Sequence, residues 1–98
     1  KHLKIMLGEN EKMLLDFLLL NYSTGFVSGH QIIAFFGKHK SSPESQRQFR
    51  AKMFENLTKI LRLLLGKDQI LDVHTDEKDQ RMYTYRLNSD VYQILKSL

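Results

Sequence analysis

The spacing of apolar residues changes from block to block along the chain, and each spacing predicts an element. From Met13 to Leu20 seven of eight positions are apolar, broken only by Asp16. This block predicts a helix over Glu11–Asn21, with Asn10 as N-cap and Glu11 suited to the first turn. A helix apolar on every side is buried on every side. In a chain of 98 residues that predicts a partner, here a homodimer formed through Leu14, Leu15, Leu18 and Leu19. The upstream stretch "KHLKIML" fits either a strand or a first helical turn. "STGFVSG" reads as a loop holding a very short strand at Phe26-Val27. Ile32, Ile33, Phe35 and Phe36 then face inward from a second helix, Gly29–Phe36, capped by Ser28 and closed at Gly37.

The next block is longer. Ser42 as N-cap with Pro43 at the first helical position is a strong start signal, and nothing interrupts the helix before Gly66. At about 100° per residue, Phe49, Met53, Leu57, Ile60 and Leu64 form one stripe, widened by Phe54 and Leu61. Gln48, Lys52, Glu55, Lys59 and Arg62 fall opposite, with Arg47, Ala51 and Thr58 along a border. Arg50 lies near the stripe, but at the end where the helix runs beyond the core. The leucine-rich end of Pro43–Leu65 is therefore core, and its polar, basic start projects. Two strand-like runs follow, Gln69–Thr75 and Arg81–Leu87, joined by the polar "DEKDQ" into a predicted hairpin. Alternation puts Tyr83, Tyr85 and Leu87 on one face and Met82, Thr84 and Arg86 on the other. Ser89 caps a short closing helix with Val91, Tyr92, Ile94 and Leu95 inward. The predicted class is α+β.

Length adds that 1–98 is a single domain with one core. The chain begins at Lys1 rather than methionine, as a domain cut from a longer protein would. A 42% hydrophobic and 27% charged composition is that of a soluble globular protein. No apolar run approaches the roughly 18 residues of a membrane span, and no secretion signal is apparent. Cysteine is absent, which excludes disulfides and thiolate metal sites. The expectation is an intracellular protein without membrane contact. The charge distribution is more telling. Lys38 to Arg62 holds seven basic and two acidic residues, net +5, whereas the other 73 residues hold eight basic and nine acidic, net −1. A localised positive excess is the electrostatic footprint of a polyanion-binding surface.

Signals for catalysis are weak. His2, His30, His39 and His74 are scattered, with no pair at metal-binding spacing. Asp72, Asp76, Glu77 and Asp79 lack the alternation and central glycine of a calcium loop and read as a solvated turn. Asn56-Leu57-Thr58 matches a glycosylation pattern but lies inside a predicted helix. The expectation is a binding protein, not an enzyme, with no cofactor, metal or small-molecule substrate.

The element order is helix (Glu11–Asn21), short strand (Phe26-Val27), helix (Gly29–Phe36), long helix (Pro43–Leu65), hairpin (Ile70–Leu87) and helix. It resembles the winged helix-turn-helix superfamily, as does "ILRLLLGKDQILDV", in which a helix ends in leucines, a glycine turns and an apolar residue opens the wing. The likeness spans roughly Glu9 to Leu98 and is one of pattern; the third helix is longer at its N-terminal end than is usual in the superfamily. It implies a three-helix core with a long third helix, a β-hairpin wing and a short C-terminal helix. It also implies sequence-specific binding of double-stranded DNA through helix 43–65, in transcription regulation or replication initiation. On that reading Ser41, Ser42 and Ser45 suit phosphate oxygens at a helix N-terminus. Gln46 and Gln48 pair with adenine, Arg47 and Arg50 with guanine, and Lys38, Lys40 and Lys52 grip phosphates. The acidic hairpin tip leaves Arg81 or Lys78 as the wing contact, or holds the wing off the DNA. The alternative is a protein-interaction or dimerisation module of a larger assembly, favoured by the oily first helix.

Overall fold

The computed structural model describes residues 6–75, 77–78 and 82–98. It has α+β architecture: four α-helices and a three-stranded antiparallel sheet. The elements are α1 (Glu9–Leu20), a 3₁₀ turn (Tyr22–Thr24), β1 (Val27–Ser28), α2 (Gly29–Phe35), α3 (Pro43–Leu65), β2 (Leu71–Thr75), β3 (Tyr83–Leu87) and α4 (Ser89–Lys96). Lys1–Ile5, whose structure the sequence left open, lies outside the described residues, as do Asp76, Asp79 and Arg81.

Helix α1 begins earlier than its sequence predicts. Gly8, in extended conformation, takes the N-cap position, and both Glu9 and Glu11 sit in the first turn. Two carboxylates there complement the positive end of the helix dipole, so the helix starts ahead of Asn10, which is exposed. Helix α2 carries the expected cap in full. The Ser28 hydroxyl accepts from the Gln31 backbone amide at 3.1 Å, and the Gln31 side-chain oxygen accepts from the Ser28 amide at 2.7 Å. This is a reciprocal capping box. Helix α3 also starts as predicted, with Ser42 accepting from the Ser45 amide and Pro43 in the first turn. Gly66 ends it with a φ of 66°, a left-handed conformation that side chains with a Cβ resist. Asn88, rather than Ser89, caps α4, its side-chain oxygen accepting from the Asp90 amide at 3.0 Å.

The core joins every layer. Leu14, Leu15 and Leu18 of α1 meet Ile32 of α2, Met53, Leu57 and Leu61 of α3, and Ile70, Leu87 and Val91 beyond. The buried line on α3 is thus Met53–Leu57–Leu61. Phe49 and Ile60 are only half-buried and Leu64 is exposed. The predicted stripe is correct through Met53 and Leu57; Phe49 and Ile60 pack at the edge of the core, and toward the C-terminal end Leu61 takes the buried place expected of Leu64. More consequential is α1. Leu14, Leu15 and Leu18 are 0%, 1% and 2% exposed within a single chain, and Leu19 is half-buried. The proposed dimer surface is therefore mostly the domain's own core. The leucines of one side of α1 pack against α2, α3, β3 and α4 of the same chain, while Met13, Asp16 and Leu20 stay exposed on the other side.

The sheet order is β1-β3-β2. β2 pairs with β3 from Leu71↔Leu87 to Thr75↔Tyr83, and β1 adds Val27↔Tyr85 and Ser28↔Thr84. Facing partners share a side, so Leu71, Val73, Thr75, Tyr83, Tyr85 and Leu87 line one face, and Asp72, His74, Thr84 and Arg86 the other. The first face turns toward α3, where the Phe54 and Tyr85 rings stack with centroids 4.4 Å apart. On the other face Arg86 donates to the Tyr22 carbonyl at 3.0 and 2.7 Å and lies over the Tyr22 ring. Tyr22 in turn stacks on Tyr92 of α4. This chain of contacts ties the 3₁₀ turn, the hairpin and the last helix together.

Candidate nucleic-acid interface

Two surfaces meet along α3. The first is the exposed ridge formed by Glu44, Gln48, Ala51 and Glu55, on the side of the helix away from Leu57. Arg47 and Lys52 flank it. Arg47 borders a groove between α3 and the hairpin, whereas Lys52 borders a shallow depression against Asn10 and Glu11 of α1. The ridge thus carries one cation on each flank and two carboxylates, Glu44 and Glu55, along its crest.

The second surface is the groove itself, with a volume of about 650 Å³. Its helical wall is Arg47, Arg50, Ala51, Phe54, Thr58 and Arg62; its hairpin wall includes Leu71, Val73, Tyr83 and Tyr85. Met82, expected on the opposite face from Tyr83, also lines it. Met82 precedes the first residue of β3 and escapes the strand's alternation. Its methyl would lie 2.8 Å from a Cβ built on Gly29, and the Arg50 Nε 3.2 Å from it. A side chain at position 29 would therefore push the Met82 methyl and the Arg50 guanidinium aside from the start of α2.

The predicted contact residues divide into several groups. Arg47 pairs with Glu44 one turn earlier, and the Gln48 amide donates to the same carboxylate at 3.0 Å. The Arg47 hydrogen bond, and then its charge, hold the Glu44 carboxyl below its ordinary range. Gln46 points elsewhere. Its amide nitrogen lies 3.3, 3.2 and 3.0 Å from the carbonyls of Lys38, His39 and Ser41. It clamps the loop before α3, which leaves its donors engaged rather than free for a base edge. Arg50 is half-buried, and its charge opposes the upward push that burial gives the Tyr85 pKa. Ser42 and Ser45 are engaged in the cap, with a 3.0 Å hydrogen bond between their hydroxyls. Ser41 and Lys40 are exposed in the loop, and Lys38 lies 5.4 Å from the Phe49 ring centre. Arg81 lies outside the described residues.

The structure thus brings Arg47, Gln48 and Arg50 onto one stretch of α3, sets Lys38, Lys40 and Ser41 at its N-terminal end, and puts Lys52 on the far flank. Sequence reasoning overlooked the groove wall. Read singly, Phe54, Val73, Tyr83 and Arg62 are core, strand or solvent residues. The alternation that put Tyr83 and Tyr85 on one face was the available signal. Among the described residues no three histidine or carboxylate side chains come together as a metal site, and no helix is long and apolar enough to cross a membrane. No protein-family model, curated protein or solved structure matches the chain.

Proposed function

We propose that the chain is a winged-helix domain binding double-stranded DNA, with α3 laid in the major groove and the β2–β3 hairpin as its wing. The observation that carries this reading is the uncovered N-terminal ridge of α3 with Arg47 on one flank and Lys52 on the other. The element order supports it, as does the confinement of the positive excess to Lys38–Arg62. Gln48 is the base-reading side chain, Arg47, Lys38, Lys40 and Lys52 are the phosphate contacts, and Gln46 is a loop clamp. Sequence-specific recognition of this kind serves transcription regulation or replication initiation.

Neutralising four to six phosphates gives a binding constant that falls with salt at a log–log slope of about −4 to −5. A salt titration on a duplex selected from a random pool measures that slope. Lys40→Ala and Lys52→Ala each flatten it by about one unit. A flat response in the parent protein would remove the DNA reading. The second reading, a protein-interaction module, is favoured by the apolar lining of the groove and would then stand.

A further inference from the structure

The groove between α3 and the hairpin has a lining that an intact duplex does not use. Its rim carries Arg47, Arg50 and Arg62 against one acidic residue, Asp68. Arg62 donates to the backbone carbonyl of Asp68 at 2.9 Å, a bond that fixes the direction of its guanidinium without cancelling the charge. Between these cations the surface is apolar and aromatic. Val73 is 47% exposed and Tyr83 53%, on the same sheet face as Tyr85, whose ring is stacked on Phe54. Arg47 and Arg62 stand fifteen residues apart on α3, about 22 Å at the helical rise. The groove is therefore a strip with positive charge at each end and ring faces in between.

A duplex offers phosphates, sugars and base edges, and keeps its base faces stacked inside. Those groups satisfy the arginines but leave Tyr83, Val73 and Met82 facing polar atoms. A small anion satisfies one arginine and leaves the strip empty. Unpaired nucleotides supply both halves, with phosphates for the guanidinium groups and exposed base faces for the aromatic wall. Building on the DNA-binding reading, we propose that this groove holds a short single-stranded extension of the bound duplex, with a base stacked on Tyr83 and phosphates at Arg47 and Arg62. The domain then recognises a junction between paired and unpaired DNA: α3 takes the duplex, and the strip beside it takes the strand that leaves.

The test uses fluorescence anisotropy with three probes: a blunt duplex, the same duplex with a short single-stranded overhang, and the overhang strand alone. Base–aromatic stacking predicts that the overhang duplex binds about 5- to 100-fold more tightly than the blunt one. Tyr83→Ala abolishes that ratio without changing the affinity for blunt duplex, and Tyr83→Phe preserves it. Lys40→Ala weakens both duplexes equally and leaves the ratio intact. Tyr83 is a surface residue, so its loss does not threaten the fold. Equal affinity for blunt and overhang duplexes overturns the inference and leaves the duplex reading standing. So does a preference that survives Tyr83→Ala, because the strand would then lie elsewhere. Competition by adenosine monophosphate as strong as that by the free overhang strand also overturns it, making the groove a small-ligand site. Failure to bind any of the duplexes sinks the inference and the DNA reading together.

Discussion

Glu44 controls how much of Arg47 reaches solvent as free charge. It is the sole acidic residue in the first turn of α3, where it is favoured by the helix dipole, and it takes hydrogen bonds from both Arg47 and Gln48. Its lowered pKa means that the paired, ionised form persists as the pH falls into the ordinary carboxylate range; the pairing is lost only as pH passes through the lowered value. At neutral pH a phosphate must compete with Glu44 for Arg47. Glu44→Gln removes the competitor, so duplex affinity rises on all sequences and the salt slope steepens by about one unit. An unchanged slope in a salt titration would mean that Arg47 does not meet phosphate. Tyr85 makes the converse case. Burial raises its pKa above the ordinary tyrosine value, opposed by the charge of Arg50. A raised value stabilises the fold below the unfolded pKa, and the benefit is lost as pH rises through the folded one. Tyr85→Phe keeps the ring on Phe54 but removes this ionisation. Melting curves above pH 10 then decline less steeply than those of the parent, and parallel declines would rule out that role for Tyr85.

At the scale of elements, the question is what holds the N-terminal half of α3 in place once it leaves the core. Part of the answer is the Gln46 amide under the loop of Lys38, His39 and Ser41. Gln46→Ala removes a half-buried side chain's hydrogen bonds, at roughly 1 kcal/mol of stability. It loosens the segment that presents Lys38 and Lys40. Binding weakens equally on a selected duplex and a scrambled one, whereas a base-reading glutamine would lose mainly the selected site. Measuring both duplexes separates the two roles. Gln46 also shows where sequence reading stopped. Element identity was legible because helix starts and stops use local chemistry: Ser28 with Gln31, Ser42 with Pro43, and Gly66 each act within a few residues. The hairpin faces were legible because alternation is local too. Whether a polar side chain turns outward or folds back on a loop depends on where that loop passes, and Gln46 and Gln48 look alike in sequence. The groove joins Phe54 to Tyr83 across 29 positions, and no local period records that meeting.

For the whole molecule, burial decides between two accounts of the oily first helix. One places Leu14, Leu15, Leu18 and Leu19 between two copies; the other spends most of them inside one. A 98-residue chain has only about 5–15 kcal/mol of stability to lose. Shortening a buried leucine to alanine costs about 2–5 kcal/mol, and an unpaired buried carboxylate costs more. Leu18→Glu places that carboxylate among the core side chains of α1 and α3, so the variant unfolds instead of dissociating. Leu20, on the same helix, is 79% exposed, and Leu20→Glu leaves the melting temperature close to that of the parent. Circular dichroism and sedimentation, run on both variants, distinguish the accounts. A Leu18→Glu protein that stays folded and sediments as a smaller species than the parent would restore the interface between copies. Loss of helical signal in Leu18→Glu with an unaltered Leu20→Glu assigns α1 to the core of the monomer. On the proposed DNA-binding reading, recognition then rests on the single set of groups that α3 and the hairpin present.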